Sequence, residues 1–363
     1  MFSPENYFYF DSSTVLFKAT IMQFSLPTVL RRDVSKVTVA VQLQRVAFIN
    51  ICSLPSHTTC VTLICVHCSV ASMSKKIVVI TGCSSGIGLE TALQMAKARD
   101  KPYKVYATMR NLGKRGEIEK RGKDMLNKTL FVRDLDVNKD ESVDKFFTTL
   151  IRDEGRIDIL INNAGVVQIG ILETCSLNDI RDVMETNFFG AVRTIHAILS
   201  VMKRQGSGRI INVSSVVGIC ACPFTEGYSA SKFALEGFSE ALAPTLRKFN
   251  INLSTIQFGP VDTAWRDRED EMFARVKYDR VDDKTGQLMR DYRAARDDIV
   301  DPAKSDLQTV EEAAKFLVWV VEDNNPKLIY PSSDFVTGIL ATKLKDLTGE
   351  SVVASADKSF LRN

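Results

Sequence analysis

From residue 75 onward, short apolar runs alternate with longer stretches whose apolar residues recur at helical spacing. The runs predict strands at 77–81, 104–109, 130–134, 157–162, 209–214, 253–258 and 328–330. Helices are predicted between them at 86–98, 139–154, 177–205, 229–249 and 310–323. Runs this apolar, with almost no alternation, suit strands buried on both faces, and strand–helix alternation makes βαβ units. The fold class is therefore α/β, a Rossmann-type doubly wound parallel sheet of about seven strands. Thr309 with Glu312 three residues later reads as a capping box, and Asn324, Asn325 and Pro326 end that helix.

No repeat or low-complexity linker divides residues 73–335, which read as one domain. Residues 263–304 break the rhythm with a charge-rich, helix-prone insertion carrying Met272, Phe273, Val276, Tyr278, Leu288, Met289 and Tyr292. An insertion at the carboxyl edge of a parallel sheet is placed to act as a lid over a ligand crevice, rather than as solvated surface helices. Residues 336–363 read as a C-terminal extension. Met73 opens MSKKIVVITG and runs directly into a strand, so residues 1–72 read as a poorly ordered N-terminal extension. That segment lacks a basic start followed by an apolar core, and its longest apolar run, 59–71, is too short to span a bilayer. His57, Cys60, Cys65, His67 and Cys68 crowd together there without two spaced ligand pairs, so no metal site is expected.

Composition narrows the function classes. Over 363 residues, 45% are hydrophobic and 25% charged, which excludes wholesale disorder and coiled-coil architecture. A net charge of +3 leaves no electrostatic footprint for nucleic acid. Beyond residue 72 only Cys83, Cys175, Cys220 and Cys222 remain, a usage that suits a reducing, cytoplasmic setting.

The first strand is followed by Gly82, Cys83, Ser84, Ser85, Gly86, Ile87 and Gly88, opening a helix. Gly82 allows the tight turn, Gly86 the close approach of backbone to a phosphate and Gly88 close helix packing. At the end of the second strand, where a carboxylate would bind ribose hydroxyls, the chain reads Ala107, Thr108, Met109, Arg110. Arg110 can pair with a 2'-phosphate, so the expected cofactor is NADP(H). Asp136 is placed to accept a hydrogen bond from the adenine amino group, and Asn163, Ala164 and Gly165 follow the fourth strand.

Tyr228 and Lys232 are four residues apart at the start of a helix and so share one face. A neighbouring ammonium favours the phenolate, which makes the tyrosine a usable acid or base. Ser214 and Ser215 end the fifth strand at the ligand-binding edge. Asn187 lies inside a helix, where a buried asparagine needs a reason.

With TGCSSGIG, NNAG, the Asn187 helix, Ser215, YSASK and GPVDT in place, residues 75 to about 335 resemble the short-chain dehydrogenase/reductase family. ITGCSSGIGLE, KVYATMR, MKRQGSGRI, YSASKFALEGFSEALA and FGPVDTAW narrow the likeness to the branch of 17-beta-hydroxysteroid dehydrogenase type 1 and the photoreceptor-type retinol dehydrogenases. The resemblance implies a catalytic tetrad of Asn187, Ser215, Tyr228 and Lys232. It makes Asn163 a stabiliser of the central sheet, brings Val261 and Thr263 to the nicotinamide carboxamide and counts Pro260 among the cofactor-binding residues. It also implies a lipophilic alcohol or ketone substrate, a steroid or a retinoid. Val216, Cys222, Phe224, Pro260 and Trp265 flank the tetrad and are apolar, as such a pocket requires.

Two departures stand out. The steroid enzyme's lid carries a histidine, whereas His196 is the sole histidine here beyond residue 72 and lies outside the lid. The cysteine-bearing tail of the retinol enzymes is absent as well. The expectation is thus an NADP(H)-dependent oxidoreductase, with a reductase of another hydrophobic carbonyl and a non-catalytic NADP(H)-binding sensor as the alternatives. The apolar surface of the 177–205 and 229–249 helices, with the two-fold pairing of relatives, implies a homodimer. Peripheral membrane association stays open.

Overall fold

The computed structural model describes residues 19–24, 46–53, 59–66, 75–98, 103–263, 265–299 and 307–361. It divides into two compact units, Met1–Ser74 and Lys75–Asn363. In the first, strands Ala19–Phe24, Val46–Ser53 and Thr59–Val66 form an antiparallel sheet with the last strand in the middle. The sequence reading assigned no strands there, although the β-branched run at 59–66 is the composition that pairs. His57, His67 and Cys68 lie outside the described residues.

The second unit runs β1 (Lys76–Ile80), α1 (Gly86–Lys97), β2 (Tyr103–Met109), α2 (Gly116–Arg121), β3 (Leu130–Asp134), α3 (Asp140–Glu154), β4 (Ile159–Asn162), α4 (Leu177–Met184), α5 (Gly190–Gln205), β5 (Gly208–Ser215), α6 (Glu226–Arg247) and β6 (Ile251–Phe258). It continues with α7 (Trp265–Ala274), α8 (Asp283–Ile299), α9 (Val310–Glu322), β7 (Ile329–Pro331), α10 (Asp334–Lys345) and α11 (Glu350–Phe360). The seven strands are all parallel, in the order β7-β6-β5-β4-β1-β2-β3. Strand order reverses between β1 and β4, and a crevice opens at such a reversal, outside the carboxyl ends of the strands.

Alternation within β1 shows how one strand feeds two cores. Val78 and Ile80 pack with α1 and α9 on one face through Leu89, Leu93, Leu317 and Val320. Ile77 and Val79 pack on the other face with α3, α5 and α6 through Phe147, Leu150, Ile195, Ile198 and Leu246. All four β1 residues are buried, which explains why the run carries no polar alternation. Each buried Leu, Ile or Phe contributes about 1.5–3 kcal/mol, so the two cores hold the sheet edge rigid enough to carry a site.

Three elements differ from expectation. The helix expected over 177–205 is split by a single π-helical turn, Glu185–Phe189, that contains Asn187. Such turns insert one residue into a helix and are frequent at functional sites. The boundary expected at residue 335 falls inside α10, which Ser333 caps by accepting from the Val336 N–H. The residues after it are no free extension, because Phe360 of α11 packs on Tyr292 of α8 at 5.6 Å between ring centroids. The Thr309–Glu312 capping box forms as read, with reciprocal bonds of 3.2 and 2.9 Å.

Candidate active site

A cavity of about 1740 Å³ lies at the carboxyl ends of the strands, large enough for a dinucleotide and a second molecule together. One end is lined by Gly82, Ser84, Ser85, Gly86 and Ile87. Gly82 and Gly86 adopt φ of +73° and +61°, left-handed backbone that glycine alone takes up freely. A Cβ on Gly82 would lie 2.8 Å from the Ala164 Cα. Gly88 does not reach the cavity. A Cβ there would meet the Asn163 Nδ2 at 2.3 Å and the Gly82 carbonyl oxygen at 2.7 Å, so its task is close packing. Asn163 ties this turn to the end of β4, donating to the carbonyls of Thr81 at 2.9 Å and Gly82 at 3.1 Å.

The first turn of α1 carries no acidic residue, and Ser85 makes no side-chain capping bond. The N–H groups and positive end of α1 therefore face the cavity without a protein anion, a cradle for phosphate. At the same end Arg110 lines the wall, exposed, together with Lys114, which the sequence reading missed. Asp136 lines it too, held by the Asn138 N–H donating to its Oδ1 at 3.2 Å. These residues fit a dinucleotide with an anionic group near Arg110.

The middle of the cavity holds Ser215, Tyr228 and Lys232. Ser215 ends β5, and α6 places Tyr228 and Lys232 one turn apart, with the Lys232 Nζ 5.9 Å from the Tyr228 ring centroid. Nζ also donates to the Val213 carbonyl at 2.9 Å. Burial pushes the Tyr228 phenol up; a hydrogen bond with Ser215 and the Arg296 guanidinium oppose it. Lys232 was expected to supply that opposition. Instead burial pulls the lysine itself down to about 8. Asn187 is buried behind the cavity wall and does not line it. Its amide donates to the Val166 carbonyl and the Ser231 hydroxyl, both at 2.9 Å, and accepts from the Val166 N–H at 2.8 Å. It thereby pins the π-helical turn to the segment after β4 and to α6.

The far end is apolar and roofed by helices. Val216 and Cys222 line the cavity, as do Pro260 and Val261, whereas Thr263 stands beside Gly86, Ala164 beside Gly82 and Gly165 beside Lys232. Within the stretch expected to act as a lid, 263–304, lie α7 and α8, and Tyr292 of α8 lines the cavity. Phe224 does not line it: it stands behind Tyr292, with ring centroids 5.4 Å apart. Burial pushes the Cys222 thiol up to about 11, so it acts as an apolar wall and not as a nucleophile. The side chain of Trp265 lies outside the described residues. Phe335, Ile339 and Phe360 from α10 and α11 complete the roof, and nothing in the sequence pattern marked them. Arg296 lines the cavity paired with Glu269 at 3.1 Å.

The family model for short chain dehydrogenases matches residues 76–273. Retinol dehydrogenase 8 of Bos taurus is 40% identical over 284 residues, covering 77% of this chain and 88% of its own. The chain belongs to the short-chain dehydrogenase family. This dehydrogenase is also 35% identical over 285 residues to human 17-beta-hydroxysteroid dehydrogenase type 1, covering 78% of this chain and 85% of that protein. A short-chain dehydrogenase from Streptomyces avermitilis shares its fold, with a TM-score of 0.61, 24% identity and coverage of 78% of this chain and 97% of the other. ElxO with NADP bound gives a TM-score of 0.60 at 24% identity, covering 73% and 99%. Those two likenesses are of fold. Membership sets the reaction class as oxidoreduction between a hydroxyl and a carbonyl. Among the described residues no helix is long and apolar enough to cross a membrane.

Proposed function

We propose that this dehydrogenase interconverts a hydroxyl and a carbonyl on a lipophilic substrate, a steroid or a retinoid, with NADP(H) as cofactor. The observation that carries the proposal is the position of Ser215, Tyr228 and Lys232 at the junction of a glycine-lined phosphate cradle and an apolar, aromatic-roofed chamber in one cavity. When bound, NADP(H) supplies or accepts the hydride. Tyr228 moves the proton to or from the substrate oxygen, which Ser215 orients by hydrogen bonding. Lys232 holds the ribose, while Ser215 and Arg296 favour the phenolate. Gly82 to Ile87 and the end of α1 hold the pyrophosphate, Asp136 the adenine, and Pro260, Val261 and Thr263 flank the nicotinamide. Arg110 and Lys114 favour a 2'-phosphate. Asn187 acts indirectly, by fixing the wall that carries Val166.

The names of the bovine and human relatives support retinoids and steroids as the substrate class. The test is a screen of the full chain with NADPH and NADP+ against retinoids, oestrogens, androgens and simple carbonyls. Turnover confined to simple carbonyls would favour the reductase alternative. Cofactor binding with no turnover at all would favour a sensor.

Leu177 and Phe189 near the π-helical turn and Phe233 on α6 are exposed, and this apolar surface supports a homodimer through α4, α5 and α6. Light scattering at micromolar concentration checks it. A cytoplasmic enzyme with peripheral membrane contact fits the exposed Leu344 and Leu347, which stand beside Lys343 and Lys345. Flotation with anionic vesicles checks that.

A further inference from the structure

Among the described residues two ion pairs join α7 to α8. Arg293 meets Asp270 at 3.3 Å with side chains 45% and 74% exposed, whereas Arg296 meets Glu269 at 3.1 Å with side chains 15% and 7% exposed. The outer pair is of the ordinary surface kind, screened by solvent. Burying the inner one strips water from both ions, a cost that their attraction repays poorly. Apolar side chains would join the two helices as well, so packing alone gives no reason for it. Its place in the chamber gives one. Met289, Tyr292 and Ala295 form the buried face of α8, and Arg296, one turn beyond Tyr292, ends that face in the cavity wall beside Met272 and Cys222. Its guanidinium also bears on the Tyr228 phenol and the Cys222 thiol. The other charged residues at this end, Asp298, Asp334 and Lys358, are half-buried or exposed.

We propose that Arg296 is a specificity-determining residue: held by Glu269 in an otherwise apolar wall, its guanidinium recognises a second oxygen of the lipophilic substrate, a neutral hydroxyl or carbonyl other than the one at the reacting carbon. This rests on the function proposed above and narrows its substrate class. Three features choose that chemistry. An arginine side chain carries donors and no acceptor, so it takes an oxygen and not a hydrocarbon. The bond to Glu269 is made at Nε, which fixes the plane of the guanidinium and so the direction of its donors. Glu269 also balances the charge: an anionic substrate group brought to this wall would leave a net negative charge in apolar surroundings. A neutral oxygen keeps the balance and still accepts a charge-assisted bond, in a place where water competes little. A ring skeleton oxygenated at two places therefore fits the chamber better than a polyene with a single oxygen at its end.

The experiment measures kcat and KM of the full chain with NADPH on two matched pairs, oestrone against 3-deoxyoestrone and all-trans-retinal against its 4-oxo form. Reduction is followed by chromatography at the carbonyl that both members of a pair share. The proteins are wild type, Arg296→Met, Arg296→Lys and Arg293→Met. In at least one pair, wild-type kcat/KM should be about 10- to 150-fold higher for the member with the second oxygen, the worth of one charge-assisted hydrogen bond, and the difference should lie mostly in KM. Arg296→Met should erase that ratio. Any effect of this variant through Tyr228 strikes both members alike and cancels. Arg296→Lys, which keeps the charge without the planar fork, should retain only part of the ratio and serves if Arg296→Met does not fold. Arg293→Met removes the outer pair and should leave the ratio as it is. An unmoved ratio in the folded Arg296 variants, or a wild type that favours the second oxygen in neither pair, overturns the proposal and leaves the inner ion pair as a tie between α7 and α8. Wild type that reduces none of the four compounds would instead sink the substrate reading, and the proposal with it.

Discussion

The glycine-lined end of the cavity is made of backbone, whereas the opposite roof is made of side chains. At the first end, Gly82, Gly86 and the start of α1 come from one continuous stretch, and Asn163 fastens that stretch to the next strand. Few sequences can satisfy its two left-handed residues and the packing around Gly88. At the second end Tyr292, Phe273 and Phe360 come from three helices and meet over the chamber, with centroids 5.6 and 6.2 Å from Tyr292. Many apolar combinations would fill that volume equally well. A cofactor common to a family can be held by fixed backbone, while substrate choice is left to replaceable side chains.

The largest expected effect lies between the two ends. Tyr228→Phe should lower turnover by at least about 100-fold, up to about 10,000-fold, while NADPH binding stays within a few-fold of wild type, because the proton carrier alone is lost. Steady-state kinetics beside a fluorescence titration read both. Near-normal turnover would remove Tyr228 from the reaction.

Next comes the charge at the cofactor end. Arg110→Leu should weaken NADPH binding by roughly 10- to 150-fold and leave NADH binding almost unchanged, since a charge-assisted bond is worth roughly 1.5–3 kcal/mol. Lys114 lies on the same wall, so Lys114→Leu added to Arg110→Leu should remove the preference that remains. Equal losses for both cofactors would show that neither cation reads a phosphate.

The roof should respond more mildly. Phe360→Ala should raise KM for the lipophilic substrate by up to about 10-fold with kcat little changed, one aromatic pair being worth about 0.5–1.5 kcal/mol beyond its buried area. NADPH affinity should not move. If it does, the two ends are not separable. The smallest effect is expected from deleting residues 1–72. No motif of the proposed site lies upstream of Gly82, so kcat and KM should be unaltered. Altered kinetics in a folded truncation would tie the first unit to the site.

How much could be read beforehand tracks the same division. The residues of the TGCSSGIG, NNAG and YSASK segments and Ser215 were legible because each is a local requirement of turn, helix start or strand end, and Gly82, Gly86, Asn163, Ser215, Tyr228 and Lys232 among them line one cavity. Phe224 was misplaced because its φ of +59° turns it away behind Tyr292, and no residue type announces such a turn. Lys114 was overlooked because it sits on a short turn, Leu112–Lys114, where a lone surface lysine looks like any other.

Hydrophobic periodicity by itself determined the class of fold, a parallel sheet of about seven strands covered by helices, and the glycine, tyrosine and lysine spacings picked out the residues proposed for the chemistry. They do so because period and backbone conformation act over a few residues. Only the tertiary structure decided that Asn187 lies in a π-helical turn holding Val166, that Ser215 and Arg296 rather than Lys232 oppose the burial of Tyr228, and that α10 and α11 close the chamber. Those outcomes depend on side chains far apart in the chain meeting under burial, where desolvation outweighs pairing and many sequences would pack alike.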